Sequence, residues 1–378
     1  MPNTAFGTSS KKRIAIFVLS TFLIVLSACG GNVSKLGIAS PTALETMTPT
    51  QAPTQTLTQT PTPVPPTPTV GPRPTLPASG VVSFSILHTN DFHIQLLSQN
   101  IGEVYAPGAA RLAYFIKTYR EEVGAQNMLL LDTGDFIEGG FGNAEKYYAK
   151  LYNGEAALSL YDNLGYQAVT AGNHEFFYGE RRFLEILQEP LSFKFLIANL
   201  YKKDDADVCT QEPVTTPYQI YDLGQEGGTK VRVAVIGVTL SNMATGGVFL
   251  EHVCTIDAVD AIARYYDEIK NQEFADVIVV LSHNGNKTDL EIAQRLIDDG
   301  MPVDIIIGGH SHTFIEEPQL VGQTNVVQAG ELGRQVGVFN LTYDRTARSL
   351  DVKWTPHTID AQTPEDSATV DFIQAVLP

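Results

Sequence analysis

Along most of the chain, short runs of apolar and β-branched residues alternate with stretches of helical period. The runs predict strands at Val81–Leu87, Met128–Leu131, Gln167–Thr170, Phe195–Ala198, Val231–Val238, Val277–Leu281 and Val303–Ile307. Between them, helices are expected at Ala109–Glu122, Ala144–Leu164, Glu180–Gln188, Ala258–Lys270 and Thr288–Asp298. Val338–Leu341 and Leu350–Trp354 read as strands near a sheet edge. Strands alternating with helices imply an α/β sandwich, and no internal repeat interrupts the order.

Several of these strands end in the same kind of event. Ile86-Leu87-His88-Thr89-Asn90 runs into Asp91-Phe92-His93, and Leu129-Leu130-Leu131-Asp132-Thr133-Gly134 into Asp135. Ala168-Val169-Thr170-Ala171-Gly172 leads to Asn173-His174-Glu175, Val279-Val280-Leu281-Ser282 to His283-Asn284-Gly285, and Ile305-Ile306-Ile307-Gly308-Gly309 to His310-Ser311-His312. Open α/β sheets bind ligands at the carboxyl ends of their strands. Of the eight histidines, five lie at these ends. Singly, an Asp after a strand is a turn or cap, and a His is a hydrogen-bonded surface or core residue. In this order they make a set of oxygen and nitrogen donors suited to borderline or hard divalent metals such as Zn, Mn, Fe or Co. The donors outnumber the needs of one ion, so two metals sharing a carboxylate are the natural count.

The first residues are not part of the folded unit. Lys11, Lys12 and Arg13 precede the apolar run Ile14–Leu26, and Leu26-Ser27-Ala28-Cys29 closes it with small residues before a cysteine. Residues 1–28 read as a secretory signal; a spanning helix needs about 20 apolar residues, more than this run has. The ending resembles a bacterial lipobox, which implies cleavage before Cys29 and a lipid on its thiol that anchors the exported chain to the membrane. An uncleaved N-terminal anchor is the alternative. Residues 29–80 form a linker, dominated by Thr, Pro and Gln from about Ser40 to Pro77. It has too little apolar surface to bury, and its prolines favour an extended spacer on the order of 100 Å long. The catalytic domain is expected at residues 81–378.

The chain carries 25 Lys+Arg against 42 Asp+Glu, a formal charge of −17. Such a surface repels duplex nucleic acid, whereas bound metal would still admit small anions. With Cys29 assigned to lipid, Cys209 and Cys254 remain. In an oxidising compartment they are a candidate disulfide, weighed equally against two unrelated thiols.

The series Asp-x-His, Gly-Asp, Gly-Asn-His-Glu, His-x-Gly and Gly-Gly-His-Ser-His resembles the calcineurin-like metallophosphoesterases. The wording Ile-Leu-His-Thr-Asn-Asp-Phe-His is closer still to the bacterial 5'-nucleotidase / 2',3'-cyclic-nucleotide phosphodiesterase family. The resemblance covers Val81 to about Asp344. It implies a four-layer αββα core and two-metal hydrolysis of phosphate esters, nucleotides first among them. It also implies that Asp91, His93 and His312 hold one metal, that Asn173, His283 and His310 hold the other, and that Asp135 bridges them. His174 is then the catalytic histidine beside the scissile phosphate. His88 and Arg334 lie in similar wording and are expected to be structural.

Two departures stand out. The family places an aspartate three residues after the catalytic histidine, where this chain has Phe177. Glu175 is a candidate replacement, although adjacent residues in a turn rarely face each other. Without a partner carboxylate, slow turnover is expected, with a gain from Phe177→Asp. Full-length relatives also carry a C-terminal domain with nucleoside-binding aromatics, to which nothing here corresponds. A broad phosphomonoesterase or phosphodiesterase, or a catalytically weak binder of phosphate compounds, are therefore the alternatives. The zinc-protease pattern His-Glu-x-x-His fails after Glu175, and neither a Walker A sequence nor a Gly-x-Ser-x-Gly elbow occurs.

Overall fold

The computed structural model describes Leu76 and residues 79–138, 153–225, 227–272 and 275–377. The signal, lipidation and most linker expectations, together with the first part of the helix expected from Ala144, lie outside these residues.

Two sheets stack face to face. The first contains β1 (Val81–Thr89), β2 (Met128–Asp132), β3 (Ala168–Val169), β4 (Lys194–Phe195), β11 (Gln335–Asp344) and β12 (Ser349–Trp354), in the order β12-β11-β1-β2-β3-β4. The second contains β5 (Tyr218–Leu223), β6 (Val231–Val238), β7 (Val277–Ser282), β8 (Ile305–Gly308), β9 (Gln319–Val321) and β10 (Thr324–Val327), ordered β9-β10-β8-β7-β6-β5. The centre of each sheet is parallel: β1 with β2 and β3 in one, β6 with β7 and β8 in the other. Antiparallel strands close three of the four flanks, and β4 ends the first sheet parallel to β3.

Parallel strands covered on both faces read as continuous apolar runs, and these strands divide their side chains between two cores. Phe84, Ile86, Leu129 and Leu131 meet Val233, Val235, Val279, Leu281 and Ile307 between the sheets. The alternate residues Leu87, Met128 and Leu130 face outward onto Leu112 and Ile116 of α1 (Ala109–Val123) and Leu158 and Tyr161 of α2 (Glu155–Leu164). On the far side, Ile236, Ile278, Val280 and Ile306 pack on Ile262 and Ile269 of α4 (Ala258–Asn271) and on Ile292 and Leu296 of α5 (Asn286–Asp298). The short α3 (Glu180–Ile186) adds Phe183 and Ile186 to the first outer core. The result is the expected four-layer αββα sandwich. Among the described residues no helix is long and apolar enough to cross a membrane.

The chain departs from expectation after β4. Phe195–Ala198 was expected to be one strand, yet the ladder stops at Phe195. Leu196 N still donates to Val169 O, but Ala198 N donates to Gly237 O of the other sheet at 2.7 Å. The segment crosses between sheets, and Gly237 permits it: a Cβ there would lie 1.7 Å from Leu196 O. Beyond the crossing, Leu200–Lys203 pairs with Val253–Thr255 and Cys209–Pro213 in a small sheet. Cys209 and Cys254 are bonded across it, with Cα atoms 5.9 Å apart.

Candidate metal centre

The loops after β1, β2, β3, β7 and β8 meet at one end of the sandwich, and the backbone there is unusual. Asp91, His93, Asp135, His310 and His312 all have positive φ, from 49° to 71°. A left-handed non-glycine residue is uncommon, and Asp, Asn and His are the types that adopt it most readily. Such residues persist where the surrounding structure over-determines them, often at ligand sites. The loops also approach closely. A Cβ on Gly172 would fall 2.1 Å from Asp135 Oδ1 and 2.5 Å from His283 Nε2, and one on Gly134 would fall 2.2 Å from Gly172 N.

Three overlapping groups of donors result: Asp91 with His93 and His312; His93 with Asp135 and His174; and Asp135 with His283 and His310. Within each group the ligating atoms lie within 4.8 Å of one another. Asp135 belongs to two of them. Asn173 joins the last, its Oδ1 being 3.1 Å from His310 Nδ1 while its amide nitrogen donates to Gly246 O at 3.2 Å. The structure therefore brings together all the metal-ligand candidates read from the sequence, with His174 beside them.

Three of the rings are steered by their second nitrogen. His283 Nδ1 donates to Thr133 O at 2.6 Å, which turns Nε2 toward Asp135 Oδ2 at 3.1 Å and Asp91 Oδ1 at 4.0 Å. His93 Nδ1 donates to Glu138 O at 3.0 Å, and His312 Nδ1 pairs with Glu331 Oε2 at 2.5 Å. The Nε2 atoms of His93 and His312 then face each other 3.1 Å apart. An imidazole whose Nδ1–H is held by a carbonyl or carboxylate, with Nε2 aimed inward, is the usual arrangement of a metal-ligating histidine. Thr133, Glu138 and Glu331 carry no motif of their own in the sequence. Only the spacing of the ligands they support was visible.

The residues fit divalent cations on further grounds. His283 Nε2 is buried, and although Asp135 Oδ2 lies 3.1 Å away the two make no well-aligned hydrogen bond. The surrounding carboxylates favour positive charge on two of the rings. Burial opposes protonation of His283, but Asp135 outweighs it and raises the pKa to about 10. Burial likewise opposes protonation of His312, and Asp91 and Glu331 raise it to about 10. Asp135 is held below the ordinary carboxylate range: burial pushes it up, and His283 more than reverses this. Cations at the centre would displace those protons, which is how metal binding couples to pH.

Glu175 is committed elsewhere. It is fully buried and accepts from the backbone N–H groups of Asp135, Phe136, Ile137 and Gly172 at 2.6–3.2 Å. It ties two loops together and is not paired with His174. That imidazole is more open, with Nδ1 2.7 Å from Glu138 Oε2 and Nε2 3.9 Å from Asp135 Oδ2. Its backbone N–H donates to Asp135 Oδ1 at 2.8 Å. Burial disfavours the charged ring, but the hydrogen bond to Glu138 and the nearby charges of Asp135 and Glu175 carry its pKa above the ordinary value.

His88 is buried against Phe339 and Trp354, ring centroids 6.3 and 5.5 Å away, as a core residue. Arg334 lies in the turn after Glu331, joined to it by a backbone hydrogen bond of 3.1 Å.

Comparison with known proteins agrees with this geometry. The calcineurin-like phosphoesterase family model matches residues 84–314. A 5'-nucleotidase from the venom of Naja atra is 28% identical over 316 residues, which cover 76% of this chain and 56% of that protein. The trifunctional nucleotide phosphoesterase YfkN of Bacillus subtilis is 28% identical over 302 residues, 72% of this chain and 19% of that protein. The crystal structure of a 5'-nucleotidase precursor from Thermus thermophilus superposes with a TM-score of 0.62 at 28% identity, covering 78% of this chain and 58% of that one. The chain thus spans about half the length of the venom relative. It belongs to the calcineurin-like phosphoesterases, a family of hydrolases that work with divalent metal ions.

Proposed function

We propose that this chain hydrolyses phosphate monoesters of nucleotides with two divalent metal ions of the Zn, Mn, Fe or Co type, and that it does so outside the cytoplasm, held to the bacterial membrane by a lipid on Cys29. In this reading Asp91, His93 and His312 hold one ion, Asn173, His283 and His310 hold the other, and Asp135 holds both. The metals, when bound, supply positive charge for the phosphoryl oxygens and an activated water. The protein's own part is orientation. Thr133 O, Glu138 O and Glu331 keep the ligand imidazoles in one tautomer. Glu175 holds the loops of Asp135 and Asn173 at a fixed separation. His174 keeps a proton at Nε2 for the oxygen that departs with the alcohol, a contribution of about 10²- to 10⁴-fold.

The observation that carries the reading is the convergence of inward-facing Nε2 atoms from His93, His283 and His312 around Asp91 and Asp135. Nucleotide preference is supported by the likeness to nucleotidases. A broader phosphomonoesterase or phosphodiesterase is the second reading, favoured by the likeness to the trifunctional nucleotide phosphoesterase YfkN. Export is supported by the Cys209–Cys254 bond, which suits an oxidising compartment.

The test is phosphate release from a panel of 5'-nucleotides and simple phosphomonoesters, and 4-nitrophenol release from bis(4-nitrophenyl) phosphate, using metal-depleted and reloaded protein. Release only after reloading, with nucleotides preferred and two ions per chain, is expected. Equal rates across the panel would move the assignment to the broad enzyme. No hydrolysis by protein that carries both ions would refute catalysis. His174→Ala should keep both ions and lose most of the rate; loss of metal in that variant would make His174 a ligand instead.

A further inference from the structure

His174 has a carboxylate partner, supplied by a different loop from its own. Glu138 follows β2, whereas His174 follows β3, and 36 positions separate them in sequence. Its Oε2 lies 2.7 Å from His174 Nδ1. The same residue's carbonyl accepts from His93 Nδ1, so Glu138 touches a ligand imidazole with its backbone and His174 with its side chain. Phe177 occupies the place three residues after His174 and packs on the ring itself, centroids 4.2 Å apart at 37°. Glu138 and Phe177, with Phe249, line a cavity of about 680 Å³ beside His174. Phe177 and Phe249 are 47% and 86% exposed, so this wall is open to a small molecule.

We infer that Glu138 is the positioning residue for His174, and that Phe177 serves as an apolar wall on the side where the leaving group departs. The inference rests on the reading of His174 as the group that serves the leaving oxygen. A carboxylate on Nδ1–H fixes the ring's tautomer and rotation and stabilises the imidazolium. Phe177 offers the ring packing but no acceptor. The work divides between the two neighbours: Phe177 limits how the ring tilts, and Glu138 sets which nitrogen carries the proton toward the cleft. Phe177→Asp therefore brings no gain while Glu138 is present, contrary to the expectation from sequence.

The experiment uses the metal-loaded chain and three variants: Glu138→Gln, Glu138→Ala, and Glu138→Gln combined with Phe177→Asp. Two substrates separate the roles, an alkyl phosphate, whose alkoxide needs a proton to depart, and 4-nitrophenyl phosphate, whose phenolate needs little. For Glu138→Ala, kcat on the alkyl ester should fall about 10- to 100-fold while metal content stays at the wild-type level. On 4-nitrophenyl phosphate kcat should change about two-fold or less, and KM should hold on both esters. Glu138→Gln should fall between wild type and Glu138→Ala, and Phe177→Asp in that background should restore part of the loss. Equal losses on the two esters together with lost metal would overturn the inference, since Glu138 would then serve only the His93 loop. No loss on either ester would overturn it too.

A second readout does not depend on turnover. In the metal-free chain, the downfield proton signal that His174→Ala removes should also be lost in Glu138→Ala. Its persistence there would refute the contact. Wild-type protein that binds metal but cleaves neither ester would sink the hydrolase reading, while this signal would still test the contact.

Discussion

The donors around His283 and those around His312, which the proposed scheme joins through Asp135, are built differently. On one side, His283 is fully buried and its Nδ1 is held by a backbone carbonyl, that of Thr133. Thr133 is itself pinned across the sandwich, its hydroxyl donating to Gly308 O at 3.0 Å. On the other side, His312 is about one-third exposed and is held by the side chain of Glu331, itself one-quarter exposed. One imidazole is set by the fold, the other by an adjustable salt bridge. Stability and metal affinity should therefore be coupled on the first side and separable on the second.

The largest effect is expected where the two sides join. Asp135→Asn should lower turnover at least about 10²- to 10³-fold, the size of losing one group that stabilises transition-state charge, and should reduce metal content below two per chain. Full activity in that variant would remove the bridge from the scheme.

Next, His283→Ala and His312→Asn should diverge. The first strands a buried carbonyl, so urea unfolding of the metal-free chain should report a loss of about 1–3 kcal/mol. The second, an asparagine that tolerates the same left-handed backbone, should lower metal affinity with a smaller loss of stability, because the Glu331 it releases is reached by water. Equal destabilisation would erase the contrast between the two sides.

Glu331→Gln should be milder, weakening one ion about 10- to 100-fold and leaving the other in place; titration of metal-depleted protein would show one affinity moving and one fixed.

The last effect concerns a histidine that serves neither side. Burial lowers the pKa of His88 from its ordinary 6.5 to about 3. Below pH 6.5 the unfolded chain takes up a proton that the folded chain refuses. The stability contribution is thus whole above 6.5 and falls as the pH drops toward 3, by up to about 1.4 kcal/mol per pH unit. His88→Leu should flatten that slope in urea unfolding between about pH 6 and 4, and parallel slopes would show that the ring is not buried uncharged.

How much of this was legible in the sequence follows the same division. The central strands β1, β2, β6, β7 and β8 announce themselves because covered parallel strands must be apolar on both faces. Strand β5 escapes notice since its buried and half-buried residues alternate with polar ones. The small disulfide-bridged sheet has no apolar run to betray it, and the C-terminal helix Ser367–Val376 buries only Thr369 and Ile373. Asp91, Asp135, His283, His310 and His312 were readable because each follows a strand by one to four residues. Their supports were not. Glu331 reaches His312 from a separate loop, and Thr133 and Glu138 act on His283 and His93 through carbonyls, which every residue possesses. Likewise, the substitution at Phe177 was visible, but the neighbour that compensates for it lies 39 positions earlier and shares no motif with it.

The left-handed backbone at five of the donors has a practical consequence for anyone re-engineering this centre. Each of those positions must satisfy a torsional requirement as well as a chemical one, so the workable alphabet shrinks to the few side chains that tolerate both, chiefly Asp, Asn and His. Glutamate or cysteine, obvious choices for retuning metal preference, would bring donor atoms to a main chain that resists them. Changing the ion is therefore a problem of loop redesign, and alanine is a poor control there, because it removes the donor and burdens the loop in the same step.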